Sequence, residues 1–131
     1  MGIILITHDL SVVASICHEV IIMYAGRIVE QADVYALYDR PLHPYTRGLL
    51  ASIPPLSDDV NDERGPSTSI PQRQLYSVPG EVPDLAQLPS GCSFQPRCQF
   101  AIDRCREVDP PLTEQPGGRK VACLRAGEID V

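Results

Sequence analysis

The stretch from Gly91 to Leu124 constrains this chain most. It carries four of the five cysteines: Cys92, Cys98, Cys105 and Cys123, separated by gaps of five, six and seventeen residues. Between and around them sit Gly91, Pro96, Pro110, Pro111, Pro116, Gly117 and Gly118. A segment this rich in turn-formers and this poor in long apolar runs is not expected to bury a core of its own. Something must tie it down, and four thiols converging on one centre would do so. A bound metal or cluster adds folding energy directly, because its site does not exist in the unfolded chain.

Several chemistries compete for that role. A single zinc ion takes four ligands and usually draws them from C-x2-4-C knuckles, which are tighter than the gaps here. Two disulfides need an oxidising compartment. The opening Met1-Gly2-Ile3 lacks a basic n-region, a long apolar h-region and a small-residue cleavage site, so export is not expected. An iron–sulfur cluster also takes four thiolates and tolerates wider, more varied spacing. Four unlinked thiols are the plainest alternative. Local charge leans towards a cluster. Arg97, Arg104, Arg106, Arg119, Lys120 and Arg125 face Asp103, Glu107, Asp109 and Glu114 within residues 91–125, in a chain whose net charge is −6. Nearby cations would offset an anionic four-thiolate centre.

The 131 residues suit one domain of ordinary size. All thirteen prolines lie at or after position 41, and eleven of them after position 53. The front is therefore the patterned part and the back is punctuated coil. No run reaches the length of a transmembrane helix. The negative net charge, the absence of Trp and the presence of only two Phe argue against nucleic acid as a partner.

Ile3-Ile4-Leu5-Ile6-Thr7 is a continuous apolar run that suits a strand buried on both faces of a parallel sheet. Such a strand needs neighbours on both sides, and no earlier element precedes it, so it is expected to belong to a longer chain or to dock elsewhere. Leu10, Val13, Ala14 and Cys17 recur at helical spacing, with Thr7 or Asp9 as the cap. Glu19 to Tyr24 reads as a strand, Ala25-Gly26 as a tight turn and Arg27 to Glu30 as the returning partner. Asp33 caps a short helix through Tyr38 that Pro41 stops. His43-Pro44-Tyr45-Thr46 opens another helix, with Pro44 in its first turn and Tyr45, Leu49 and Ile53 on one side.

His8 stands where a strand would hand over to a helix, the end of an α/β sheet at which ligands bind. An imidazole there could donate to a phosphate; a loop histidine beside a helix cap is the plainer alternative. Cys17 reads as core filler, His18 as an exposed helix-end residue and His43 as structural. Residues 57–77 form an acidic linker. Val78 to Pro89 is extended and proline-punctuated, with Leu85 and Leu88 as anchors.

Three separated motifs together carry a resemblance: Leu5-Ile6-Thr7-His8-Asp9-Leu10, then Met23 to Glu30, then Pro41-Leu42-His43-Pro44-Tyr45-Thr46. With Pro79-Gly80-Glu81-Val82-Pro83 and Gly91-Cys92, they resemble the end of a dipeptide/oligopeptide ABC transporter ATP-binding subunit. The resemblance covers nearly all of the chain apart from the linker. It implies an α/β fold class: the C-terminal fragment of a P-loop ABC-type nucleotide-binding domain, followed by a coil-rich, cysteine-ligated extension. Residues 1–40 would end the nucleotide-binding domain, 41–56 would hold the His-Pro-Tyr helix, 57–77 the linker and 78–131 the cluster arm. His8 matches the switch histidine that contacts the γ-phosphate of ATP. Cys92, Cys98, Cys105 and Cys123 match cysteines that ligate a 4Fe–4S cluster in some family members, with zinc as the alternative. The implied partners are a second ATP-binding subunit, membrane permease subunits and, indirectly, a peptide, at the cytoplasmic face of the cell membrane.

The sequence departs from the family in what an ATPase needs. No G-x-x-x-x-G-K-[ST] cradle for the phosphates occurs, nor a Gln loop, an LSGGQ signature or a strand ending in Asp-Glu. One histidine cannot organise a triphosphate, Mg2+ and a water, so the chain alone is not expected to hydrolyse ATP. The alternatives are a freestanding iron–sulfur or zinc module with a regulatory task, or a truncated product that folds poorly.

Overall fold

The computed structural model describes residues 1–53 and 77–129. The expected linker lies almost wholly outside the described residues. The elements run α1 (Leu10–Ile16), β1 (Glu19–Tyr24), β2 (Arg27–Asp33), α2 (Val34–Asp39), α3 (Pro44–Ala51), α4 (Arg104–Glu107), β3 (Thr113–Gln115) and β4 (Arg119–Val121), with a 3-10 turn at Gln95–Arg97.

Local chemistry sets the front elements. Asp9, rather than Thr7, caps α1, accepting from the Ser11 and Val12 amides. Asp33 does the same for α2, accepting from Tyr35 and Ala36. Between β1 and β2 the chain reverses through Ala25 and Gly26 at φ 49° and 77°. This left-handed pair matches the twist of the flanking strands, and glycine takes the second position without strain. On β1, Val20, Ile22 and Tyr24 face inwards while Glu19, Ile21 and Met23 face out.

The strands form one antiparallel sheet in the order β1-β2-β4-β3. The cysteine-rich half is thus not loose coil beside the front piece. It supplies half of the strands, with Glu30 paired to Val121 and Gln31 to Lys120. The turn joining β3 to β4 holds Gly117 and Gly118, both at positive φ. The core joins Val13, Val20, Ile22, Tyr24, Val29, Ala32, Val34 and Leu37 with Phe94 from the cysteine-rich half.

Two expectations are corrected. Ile3 to Thr7 forms no strand. Ile3, Ile4 and Ile6 are 83–94% exposed. A central strand is held by ladders on both sides, and among the described residues nothing pairs with this run. Leu85 and Leu88 do not anchor their segment; both are exposed. Arg97 holds the region instead. Its Nε donates to the Pro79 carbonyl at 2.8 Å and its guanidinium lies 5.9 Å from the Tyr24 ring centroid.

Candidate functional site

The site begins with a buried acid. Ile22 pairs with Glu30, so alternation along β2 turns Glu30 to the core face, where it has no exposed surface. Its carboxylate accepts three hydrogen bonds: from the Leu42 amide at 2.8 Å, the His43 amide at 2.9 Å and the Arg119 guanidinium at 3.0 Å. Arg119 also donates to the Arg40 carbonyl at the end of α2. One carboxylate therefore joins β2, the loop before α3 and β4. A charge buried this far from water is tolerable only when paired and fully hydrogen-bonded.

Resting on that anchor, His43 is the N-cap of α3, and its Nδ1 accepts from the Tyr45 amide at 3.0 Å. His43 is 1% exposed, and burial pushes its pKa down to about 4, partly opposed by the Ala122 backbone. The imidazole is neutral, with its proton on Nε2. Phe94 packs 5.7 Å from the His43 ring, 5.1 Å from Tyr24 and 5.4 Å from Tyr45.

Beneath this aromatic cluster lies a small cavity of about 20 Å³ lined by His43, Phe94 and all four of Cys92, Cys98, Cys105 and Cys123. All four are free thiols, so no disulfide ties the arm down. The backbone at Phe94 and Gln95 favours thiolate at Cys92, that at Phe100 and Ala101 does so at Cys98, and that at Arg125 at Cys123. Burial nonetheless raises the Cys92, Cys98 and Cys123 thiols, Cys123 to about 11. The charges of neighbouring cysteines push in the same direction, since several thiolates cannot share one low-dielectric cavity without a cation.

Gly91, just before Cys92, packs against the backbone of Cys105. At φ 72°, its missing Cβ would lie 2.4 Å from the Cys105 carbonyl oxygen. That close approach lets the Cys92 amide donate to the same carbonyl at 2.8 Å.

Convergence on a single ion is not seen. Among the described residues, no three His, Cys, Asp or Glu side chains form a set that could hold a metal ion. Zinc would gather four thiolates about 2.3 Å from one point, and here the sulfurs line a cavity instead. The expected role of the local cations is also narrowed. Arg119 is committed to Glu30, while Arg125 is the cation that favours thiolate at Cys98. His8 lies far from this pocket in the sequence, in exposed chain just before the α1 cap. Cys17 packs against the core, as expected.

Sequence reasoning missed Glu30, Arg119 and the position of His43. A glutamate at an inward strand position was a usable signal for the first. The second partner stands 89 residues away.

Residues 29–105 match the family described as "Oligopeptide/dipeptide transporter, C-terminal region". The chain belongs to that family. It is 45% identical, over 98% of its length, to a "Putative peptide import ATP-binding protein" of Brucella ovis, and covers 36% of that protein. It is 48% identical over 98% of its length to a "Probable peptide ABC transporter ATP-binding protein" of Sinorhizobium fredii, covering 35% of it. With the "Dipeptide transport ATP-binding protein DppD" of Escherichia coli it shares 41% identity over 94% of its length, covering 34%. The chain thus spans about a third of the length of the curated relatives it matches.

Proposed function

We propose that this chain serves in the ATP-binding subunit of a peptide ABC importer, where it supplies a γ-phosphate-contacting imidazole and a four-thiolate structural centre. The observation that carries the importer assignment is the agreement of relatives named for peptide import or dipeptide transport along nearly all of the chain. ATP with Mg2+ would bind only where a phosphate cradle, a signature motif and a metal-holding acid are also present, and this sequence contains none of them. The other partners would be a second ATP-binding subunit and the membrane permease subunits, met at the cytoplasmic face. The peptide would be handled by the permease.

His8 is the proposed switch residue. It lies immediately before the Asp9 cap, so an ordered α1 would hold the imidazole at a helix start, where an anion is favoured. In a complete subunit, His8→Ala is expected to leave ATP binding intact and lower turnover by at least ~100-fold. Unchanged turnover would remove His8 from the site.

The four cysteines are the proposed ligands of a 4Fe–4S cluster, with zinc as the alternative. Supporting the cluster are four thiols that line one cavity and backbone groups that favour thiolate at three of them. Its role is that of a staple: iron would replace the protons that burial keeps on the thiols and lock the arm to the sheet. Protein purified without oxygen should absorb broadly near ~400 nm and carry about four irons per chain. Stoichiometric zinc without colour would replace the cluster, and metal-free protein would dismiss both.

A further inference from the structure

We propose that Cys92 and Cys105 are a reversible redox pair in the metal-free chain, closing to a disulfide by exchange with a low-molecular-weight disulfide that reaches Cys92. The pair stands on main-chain geometry and goes beyond the proposed function. Among the described residues, these two alone of the four clustered cysteines share a main-chain hydrogen bond: the Cys92 amide donates to the Cys105 carbonyl at 2.8 Å. The neighbouring residues continue the contact. Ser90 Oγ donates to the Arg106 carbonyl at 2.9 Å, and a Cβ on Gly91 would lie 2.6 Å from the Arg106 carbonyl carbon. Residues joined in this way have Cα atoms roughly 5–6 Å apart, inside the span of about 4.4–6.8 Å that a disulfide bridges. Both residues line the same small cavity, so closure needs side-chain rotation rather than movement of the chain.

A second space decides which thiol reacts first. Beside the cavity lies a cleft of about 310 Å³ lined by Ile28, Val29, Phe94, Pro111 and Leu112. The exposed side chains of Arg27 and Asp109 also line it, so it opens to solvent. Of the four cysteines only Cys92 lines both spaces. The cleft has the volume of a small-molecule site, whereas the cavity of about 20 Å³ has room for a single water. A small disulfide therefore meets Cys92 from the cleft, while the buried Cys105 stands on the cavity side. The Cys92 thiolate attacks one sulfur of the reagent. A mixed disulfide forms, the reagent's own S–S bond breaks, and one thiol leaves with the proton that Cys92 gave up. The Cys105 thiolate then attacks the Cys92 sulfur, the mixed bond breaks, and the second thiol leaves with the proton from Cys105. The protein gives up two electrons and two protons, and the reagent takes both. The bridge removes two of the four thiols at once, so an oxidised chain could not gather the proposed ligand set until a reductant reopened it.

The test uses the full chain, metal-free and reduced, incubated with oxidised glutathione. The reaction is run at about pH 8.5, because burial raises the Cys92 thiol and exchange needs thiolate. Remaining thiols are then blocked. Trypsin cutting after Arg97, Arg104, Arg106 and Lys120 leaves the four cysteines on separate peptides. Mass spectrometry should find Cys92 joined to Cys105 at least ~10-fold more often than any other pair, and the preference should vanish in urea, where the fold no longer chooses. In Cys105→Ser the reaction should stop at a glutathione adduct on Cys92. Predominance of another pair, or adducts without a bridge in wild type of unchanged circular dichroism, overturns the proposal, and the wild-type map decides even where a variant fails to fold. Iron uptake is a separate readout. After anaerobic addition of ferrous iron and sulfide, the oxidised chain should bind iron only once dithiothreitol has reduced it. Equal uptake by oxidised and reduced chain overturns the switch. Reduced wild type that takes up no iron overturns the cluster reading, and the bridge map still decides the redox pair.

Discussion

Replacing Glu30 with Gln tests the buried junction on which the pocket rests. The substitution keeps shape and removes charge. In the native protein one carboxylate serves three donors at 2.8, 2.9 and 3.0 Å. A carboxamide has a single acceptor oxygen. If that oxygen serves Leu42 and Arg119, the new NH2 group faces the His43 amide, donor against donor. An orphaned buried amide costs about 1–3 kcal/mol. Arg119, whose side chain is 11% exposed, also loses its counter-charge. Breaking one side of a buried ion pair costs about 3–5 kcal/mol, and the two penalties overlap because the same oxygens are involved. A total of about 3–5 kcal/mol is expected, a large part of the 5–15 kcal/mol that stabilises an ordinary domain. Urea unfolding followed by circular dichroism would measure it. Hydrogen exchange should show faster opening at Leu42, His43 and the β4 amides than at β1. A loss below about 1 kcal/mol at unchanged m-value would refute the reasoning, because the carboxylate would then not be the shared acceptor.

Gly91→Ala forces a Cβ into the Cys105 carbonyl at a left-handed φ, and should cost at least ~1–3 kcal/mol and weaken metal retention, both read on the same purified protein. The stability of the metal-free protein should also depend on His43. Its folded pKa of about 4 lies below the unfolded value of about 6.5, so its contribution is complete above pH 6.5 and is lost as pH falls through about 4. The full effect is on the order of 3 kcal/mol, and the slope between those limits should flatten in His43→Asn when urea midpoints are compared across pH. Cys98→Ala should abolish metal uptake and loosen residues 91–124, whereas Cys17→Ala should leave metal content unchanged; equal loss in both would remove Cys98 from the ligand set.

The sequence by itself determined what depends on near neighbours. The Asp9 and Asp33 caps, the Ala25-Gly26 reversal and Pro44 in the first turn of α3 are interactions within a few residues, and all are found. The family was legible too, because its motifs are short and ordered. Gly117-Gly118 between two three-residue runs was a readable hairpin turn, yet runs that short carry too little alternation to announce strands. Only the tertiary structure decided the rest. Ile3 to Thr7 has strand composition and no ladder, so composition alone did not make a strand. Leu85 and Leu88 are apolar, but the arm is held by an arginine instead. Whether a glutamate is buried depends on a guanidinium arriving from 89 residues away. Local pattern encodes backbone geometry, while the cost of burying a polar group is set by partners that folding alone brings within reach.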